Sequence, residues 1–182
     1  AHHETIAQNH SMRVKETCII GNIDGNKVKE DMNEAAELVD NLFIINSVLT
    51  REDEFLGIVA GSPDMAFDAG LKTARSVCTV PCKKTDIVIV SGGMQFTTNL
   101  YEAGKLIGPG GMILKSGGIL ILVAKCENGT GDQEEFLQTV YLKSLVNYLP
   151  VDHKLFLVSA LKAAQLPDSI YTPFNSLKAA QA

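Results

Sequence analysis

Asp86-Ile87-Val88-Ile89-Val90-Ser91-Gly92-Gly93 is the stretch that decides the fold. Its β-branched residues favour a pleated strand, and an apolar run without polar alternation reads as a parallel-sheet strand buried on both faces. Gly92 and Gly93 then break it. Residues 118–124 (GILILVA) and 154–159 (KLFLVS) repeat the character. Between the first two runs lies a helical pattern over residues 99–107 followed by a Gly-rich connection. Between the second and third, residues 132–149 read as a long helix with Phe136, Val140, Leu145 and Tyr148 among its apolar positions, stopped by Pro150. Strand, helix, strand, helix, strand predicts right-handed crossovers and a parallel sheet.

Upstream, residues 5–14 predict a short helix. Residues 28–40, apolar at Val28, Met32, Ala35, Ala36 and Val39, predict an amphipathic helix entered through Asp24-Gly25-Asn26. Residues 41–49 and 55–60 predict a β-hairpin around a polar turn at 51–54. Ser62-Pro63-Asp64 predicts a helix start, with Ser62 as N-cap and Pro63 in the first turn, running to about Val77. The expected fold is therefore α/β: a mainly parallel sheet flanked by helices, with an N-terminal helix and β-hairpin, forming a single domain over residues 1–182. The opening Ala1-His2-His3 suggests either a tag remnant or a chain cut from something longer, and the helix-like last residues again suggest trimming.

Composition narrows the function. With 46% hydrophobic residues the chain can bury a core without disulfide or metal staples. A net charge of −5, with lysines scattered rather than striped, argues against nucleic acid as a partner. The longest apolar run, residues 119–124, is far shorter than the ~20 residues of a spanning helix, so no membrane partner and a cytoplasmic location are expected. Cys18, Cys78, Cys82 and Cys126 lie in or beside apolar segments and read as buried free thiols. Cys78-x-x-x-Cys82 has no second pair to complete a zinc site, and His3 and His10, seven apart and so on one helical face, lie in a terminal segment where histidines more often bind no metal.

In open parallel sheets ligands sit beyond the carboxyl ends of the strands, which directs attention to residues 91–105. Gly92 and Gly93 permit close backbone approach or positive φ. The helix after them would point free N–H groups at an anion. Tyr101 and Lys105, four apart, share a helical face, and Glu102 can pair with Lys105. Spacing alone also admits a structural arrangement, in which Tyr101 packs, Glu102 and Lys105 form a solvated pair, and the glycines turn the chain. Gly104-Lys105-Leu106 is not a P-loop, and Gly108-Pro109-Gly110-Gly111 lacks the last glycine of the dinucleotide fingerprint. The second loop, Lys125 to Gly131, belongs to the same sheet edge. A nucleophilic Cys126 would need a base, for which His153 is the non-terminal candidate; Gly129 and Gly131 read instead as shaping a loop into a helix capped by Asp132.

The order of these segments resembles the C-terminal domain of the nickel-pincer lactate racemase (LarA-like) family, from about Thr5 to the last residues. The resemblance is carried by Asp24-Gly25-Asn26 with Glu30-Asp31-Met32, Asn46-Ser47-Val48-Leu49, Val59-Ala60-Gly61-Ser62-Pro63, residues 86–93, Asn99-Leu100-Tyr101-Glu102-Ala103 with Lys105, and Gly117-Gly118-Ile119 through Cys126 to Gly129-Thr130-Gly131. It implies a two-domain isomerase, a racemase or epimerase, in which a separate N-terminal domain holds the nickel-pincer nucleotide and the acid/base histidines. Hydride leaves a 2-hydroxy acid carbon and returns to the opposite face. The C-terminal domain closes over the site.

The resemblance thus implies substrate- or cofactor-binding roles for Tyr101 and Lys105, with Glu102 beside them; Gly92, Gly93 and Asn99, from the loop that presents them, complete the candidate binding set. It further implies no catalytic or metal-binding residue in this domain and no cofactor bound to this chain alone. Its partners would be a small 2-hydroxy acid or related alcohol and its own N-terminal domain, with a homo-oligomer left open. Glu102 stands where the lactate enzyme has glutamine, and an ionised carboxylate repels an anionic substrate that an amide would bind. Met94-Gln95-Phe96-Thr97-Thr98 and the lysines Lys27 and Lys29 are further departures. The alternatives are a stand-alone, non-catalytic α/β module that binds a small molecule and a partner-binding scaffold.

Overall fold

The computed structural model describes residues 2–50, 54–131, 147–166 and 170–181. The chain divides into two compact units, one of Ala1–Val28 with Lys83–Ala182 and one of Lys29–Cys82.

In the larger unit, α1 (His3–Ser11) continues into a 3-10 turn at Met12–Val14, as the short N-terminal pattern predicts. α2 (Lys27–Glu37) straddles the division and is entered through Gly25, whose φ of 66° suits glycine. In the smaller unit β1 (Ile44–Leu49) and β2 (Phe55–Gly61) pair antiparallel, pairing Ile45 with Ala60 and Ser47 with Ile58. α3 (Pro63–Cys78) packs on the face of the hairpin that carries Val48 and Val59, where Gly70 lets helix and strands approach. Pro63 opens α3 as expected, but the Ser62 side chain makes no capping bond; its carbonyl accepts from Ala66 N at 3.0 Å.

The sheet of the larger unit is parallel throughout, in the order β3 (Thr85–Val90), β4 (Leu114–Val123), β5 (Lys154–Val158), β6 (Thr172–Phe174). Val88 pairs with Leu120 and Leu120 with Leu155, so these residues and Leu122 and Leu157 share one face and form the core. β6 was not foreseen. It is an edge strand, which is where its Pro173 is tolerated. A last short helix, α7 (Leu177–Ala180), is capped by Ser176 Oγ, which accepts from Ala179 N.

Three expectations need correction. The helix expected over residues 99–107 is instead broken into α5 (Leu100–Gly104) and the start of α6 (Ile107–Gly111), and a further short helix, α4 (Met94–Thr97), precedes them. The Gly-rich run expected as a connection is α6 itself. A Cβ on Gly110 would lie 2.6 Å from Val90 Cγ1, and one on Gly111 2.6 Å from the Tyr148 carbonyl oxygen, so the glycines let this helix lie against its neighbours. Finally, β3 is not buried on both faces. The α5–α6 crossover covers Val88 and Val90, while Ile87 and Ile89 opposite remain 53% and 47% exposed. The long helix expected at 132–149 falls outside the described residues as far as residue 146.

Gly111→Ala should destabilise the protein by about 1–3 kcal/mol through overpacking, although alanine favours a helix by about 1 kcal/mol. Urea unfolding would show a lowered midpoint; an unchanged or raised one would mean that the helix can move away from Tyr148.

Candidate functional site

The loops that follow β3 and β4 are joined by main-chain hydrogen bonds at the carboxyl edge of the sheet. Cys126 N donates to Thr97 O and Asn128 N to Thr98 O, both at 2.8 Å. In return Leu100 N donates to Gly129 O and Tyr101 N to Thr130 O, both at 3.1 Å. Ser91 Oγ donates to Val123 O, and Ala160 N, beyond β5, donates to Lys125 O. Each loop thus supplies the partners that the other's backbone needs when water is excluded.

This arrangement overturns one expectation. The N–H groups of Leu100 and Tyr101 are taken by the second loop, and that of Glu102 by Asn99 Oδ1 at 2.8 Å, so the first turn of α5 does not offer free donors to an anion. Asn99 is the N-cap of α5. The Asn-x-x-Glu spacing of a capping box carried that signal in the sequence, although the Glu102 side chain turns to Lys105 rather than back to the cap. Gly92 and Gly93 do not adopt positive φ. A Cβ on Gly92 would meet Phe96 Cβ at 2.9 Å, so close packing explains this glycine, whereas Gly93 faces open space. Gly131 has φ 104° and lies under Tyr101 and Asn99.

On this platform Tyr101, Glu102 and Lys105 come together. Lys105 Nζ is 2.9 and 2.8 Å from the two Glu102 carboxylate oxygens and sits 4.9 Å from the centre of the Tyr101 ring. The pair is partly exposed, 39% for the lysine side chain and 28% for the glutamate. Lys125 and Glu127 form a second ion pair on the adjoining loop, at 2.6 Å. The hydrogen bond to Glu127, then its charge, raises the Lys125 pKa.

Beneath the loops, Cys126 is buried with its backbone left-handed at φ 53°. Burial pushes its thiol up to about 11, and burial, then the neighbouring Cys126, raises the Tyr171 hydroxyl. A thiol with so little thiolate at neutral pH is a poor nucleophile. Cys18 is buried as expected; Cys78 and Cys82 are exposed, contrary to expectation. Among the described residues no three His, Cys, Asp or Glu side chains are grouped to hold a metal ion. No described helix is long and apolar enough to cross a membrane.

Residues 80–150 match the family model described as the lactate racemase C-terminal domain. That span contains every residue of the Tyr101–Lys105 group. The lactate racemase of Thermoanaerobacterium thermosaccharolyticum is 32% identical over 114 residues, 62% of this chain and 27% of that protein. That of Lactiplantibacillus plantarum is 32% identical over 136 residues, 73% of this chain and 32% of that protein. The solved lactate racemase apoprotein from the former organism shares the fold with a TM-score of 0.80 at 23% identity, over 96% of this chain and 49% of that one. This chain thus spans about half the length of the solved relative, and its aligned part a third or less of the curated ones.

At pH 7.5 iodoacetamide should label Cys78 and Cys82 and leave Cys126 unmodified; labelling of Cys126 at the rate of a free thiol would contradict its burial. Because the folded thiol holds its proton to a higher pH than the unfolded one, its stabilising contribution is complete below the ordinary thiol pKa and falls as pH rises from about 9 to about 11. The urea midpoint should decline over that range, and less steeply in Cys126→Ser.

Proposed function

We propose that this chain, which belongs to the LarA-like family through its lactate racemase C-terminal domain, closes over a small 2-hydroxy acid or related alcohol held by a separate N-terminal domain, as part of a racemase or epimerase. The observation that carries the reading is the Tyr101–Glu102–Lys105 group, set side by side at a sheet edge where parallel α/β proteins bind ligands. Tyr101 supplies an aromatic wall, and Lys105 and Glu102 supply polar contacts. Gly92, Gly93 and Asn99 shape the loop that presents them. Both compact units are assigned to this one domain.

The nickel-pincer nucleotide would supply a carbon that accepts and returns hydride. Among the described residues no three His, Cys, Asp or Glu side chains are grouped to hold a metal ion; the nucleotide is assigned to the N-terminal domain on the family resemblance, and no hydride step is derived for this chain. What this chain contributes is positioning and the exclusion of water when the domains close. The outer hairpin face, with Ile45, Phe55 and Ile58 exposed, is apolar in the manner of surfaces that meet another domain. A cytoplasmic location is in keeping with these roles.

In the full-length enzyme, Lys105→Ala should weaken substrate binding and lower turnover by about tenfold or more, the worth of about 1.4 kcal/mol, with circular dichroism unchanged. Unchanged kinetics would remove Lys105 from the site. This chain alone should show no turnover, and racemase activity in it would overturn the two-domain reading.

A further inference from the structure

The charge and donor balance of the candidate site point to a narrower class of ligand. The loops after β3 and β4, residues 91–113 and 124–131, contain two lysines and two glutamates, and each lysine is in an ion pair with a glutamate. The polar group beside Tyr101 is therefore close to neutral overall. Lys105 does not stand there as an uncompensated cation.

Hydrogen-bonding capacity gives the same direction. An ionised carboxylate offers about four acceptor positions and no donor. Glu102 directs both oxygens at Lys105 Nζ, at 2.9 and 2.8 Å, and each oxygen keeps further acceptor capacity. The Lys105 ammonium divides its donors between that carboxylate and the face of Tyr101, 4.9 Å from the ring centre. What remains for a ligand is mostly acceptor, with limited donor capacity. A ligand carboxylate has acceptors alone, so it would face the Glu102 oxygens with like charge and no hydrogen to share. Adjacent hydroxyls fit: one donates to Glu102 and accepts from Lys105, while its neighbour donates to the second glutamate oxygen. The Tyr101 ring covers the apolar C–H face of such a chain.

We infer that the Glu102–Lys105 pair recognises a neutral polyol through two adjacent hydroxyls and discriminates against a carboxylate at that position. The inference rests on the closing role proposed above and names the substrate class for the same site. Glu102 is the specificity-determining residue. It attracts hydroxyl donors and repels anions at once, so selectivity arises from a repulsive element as well as an attractive one.

The test is calorimetric titration of the full-length enzyme with matched probes, erythritol against erythronate and D-mannitol against D-mannonate, which differ by a terminal hydroxymethyl or carboxylate. The wild type should bind at least one polyol about tenfold more tightly than its acid. Glu102→Gln, which keeps the shape and leaves the Lys105 charge uncompensated, should erase or reverse that ratio, and Glu102→Asp should retain part of it. A wild type that prefers the acids, with binding lost in Lys105→Ala, would overturn the polyol inference and leave the closing role standing. A polyol preference that Glu102→Gln leaves unchanged would also overturn it. Failure of all four probes to bind would count against both.

Discussion

Four main-chain hydrogen bonds across the carboxyl edge of the sheet hold the rest of the site in place: Cys126 to Thr97, Asn128 to Thr98, Leu100 to Gly129 and Tyr101 to Thr130. They turn two separate connections into one surface and set the start of α5, a helix of only five residues that could not persist alone. Asn99 completes the start by accepting from Glu102 N. The side chains that follow inherit their positions from this backbone. Tyr101, Glu102 and Lys105 meet because a short turn, fixed at its first residues, brings positions four and three apart together.

The demands of that junction explain the unusual backbone nearby. Gly131 at φ 104° passes beneath Tyr101 and Asn99, where a Cβ would lie 3.1 Å from Tyr101 Cβ. Cys126 takes a left-handed conformation to turn the chain back after β4, and its buried thiol lies with Tyr171 in the core below. Gly110 and Gly111 answer a different requirement, close packing of α6 on β3, β4 and the segment at Tyr148. Glycine therefore does two jobs in this unit: it permits a turn at one end of the sheet, and it permits contact along its face.

Much of the architecture was legible because strands of this kind announce themselves locally. The runs at Ile87, Ile119 and Leu155 indicated three of the parallel strands, the hairpin followed from β-branched and aromatic density on either side of a polar turn, and α3 from Ser62-Pro63-Asp64. What was not legible depended on partners distant in sequence. A stretch reading Ile-Gly-Pro-Gly-Gly has poor helix propensity, and only its packing against Val90 and Leu120 makes α6 intelligible. The exposure of Ile87 and Ile89 reflects which face the crossover covers, which an apolar run does not encode. The meeting of the two Gly-containing loops followed from the parallel topology. The loss of free N–H groups at α5 did not, because it required knowing which carbonyls arrived opposite. The Glu102–Lys105 pair was foreseen from the spacing of the two residues, whether the loop binds a ligand or not, and the structure shows it closed.

We propose that the Tyr101–Glu102–Lys105 group faces a ligand when the domains of the full-length enzyme close. The most direct measurement is a structure of that enzyme with a substrate or unreactive analogue bound. A ligand oxygen should lie within about 2.7–3.2 Å of Lys105 Nζ or a Glu102 oxygen, with the Tyr101 ring against the ligand's carbon chain. A bound ligand with all three side chains turned to bulk solvent on another surface would contradict it.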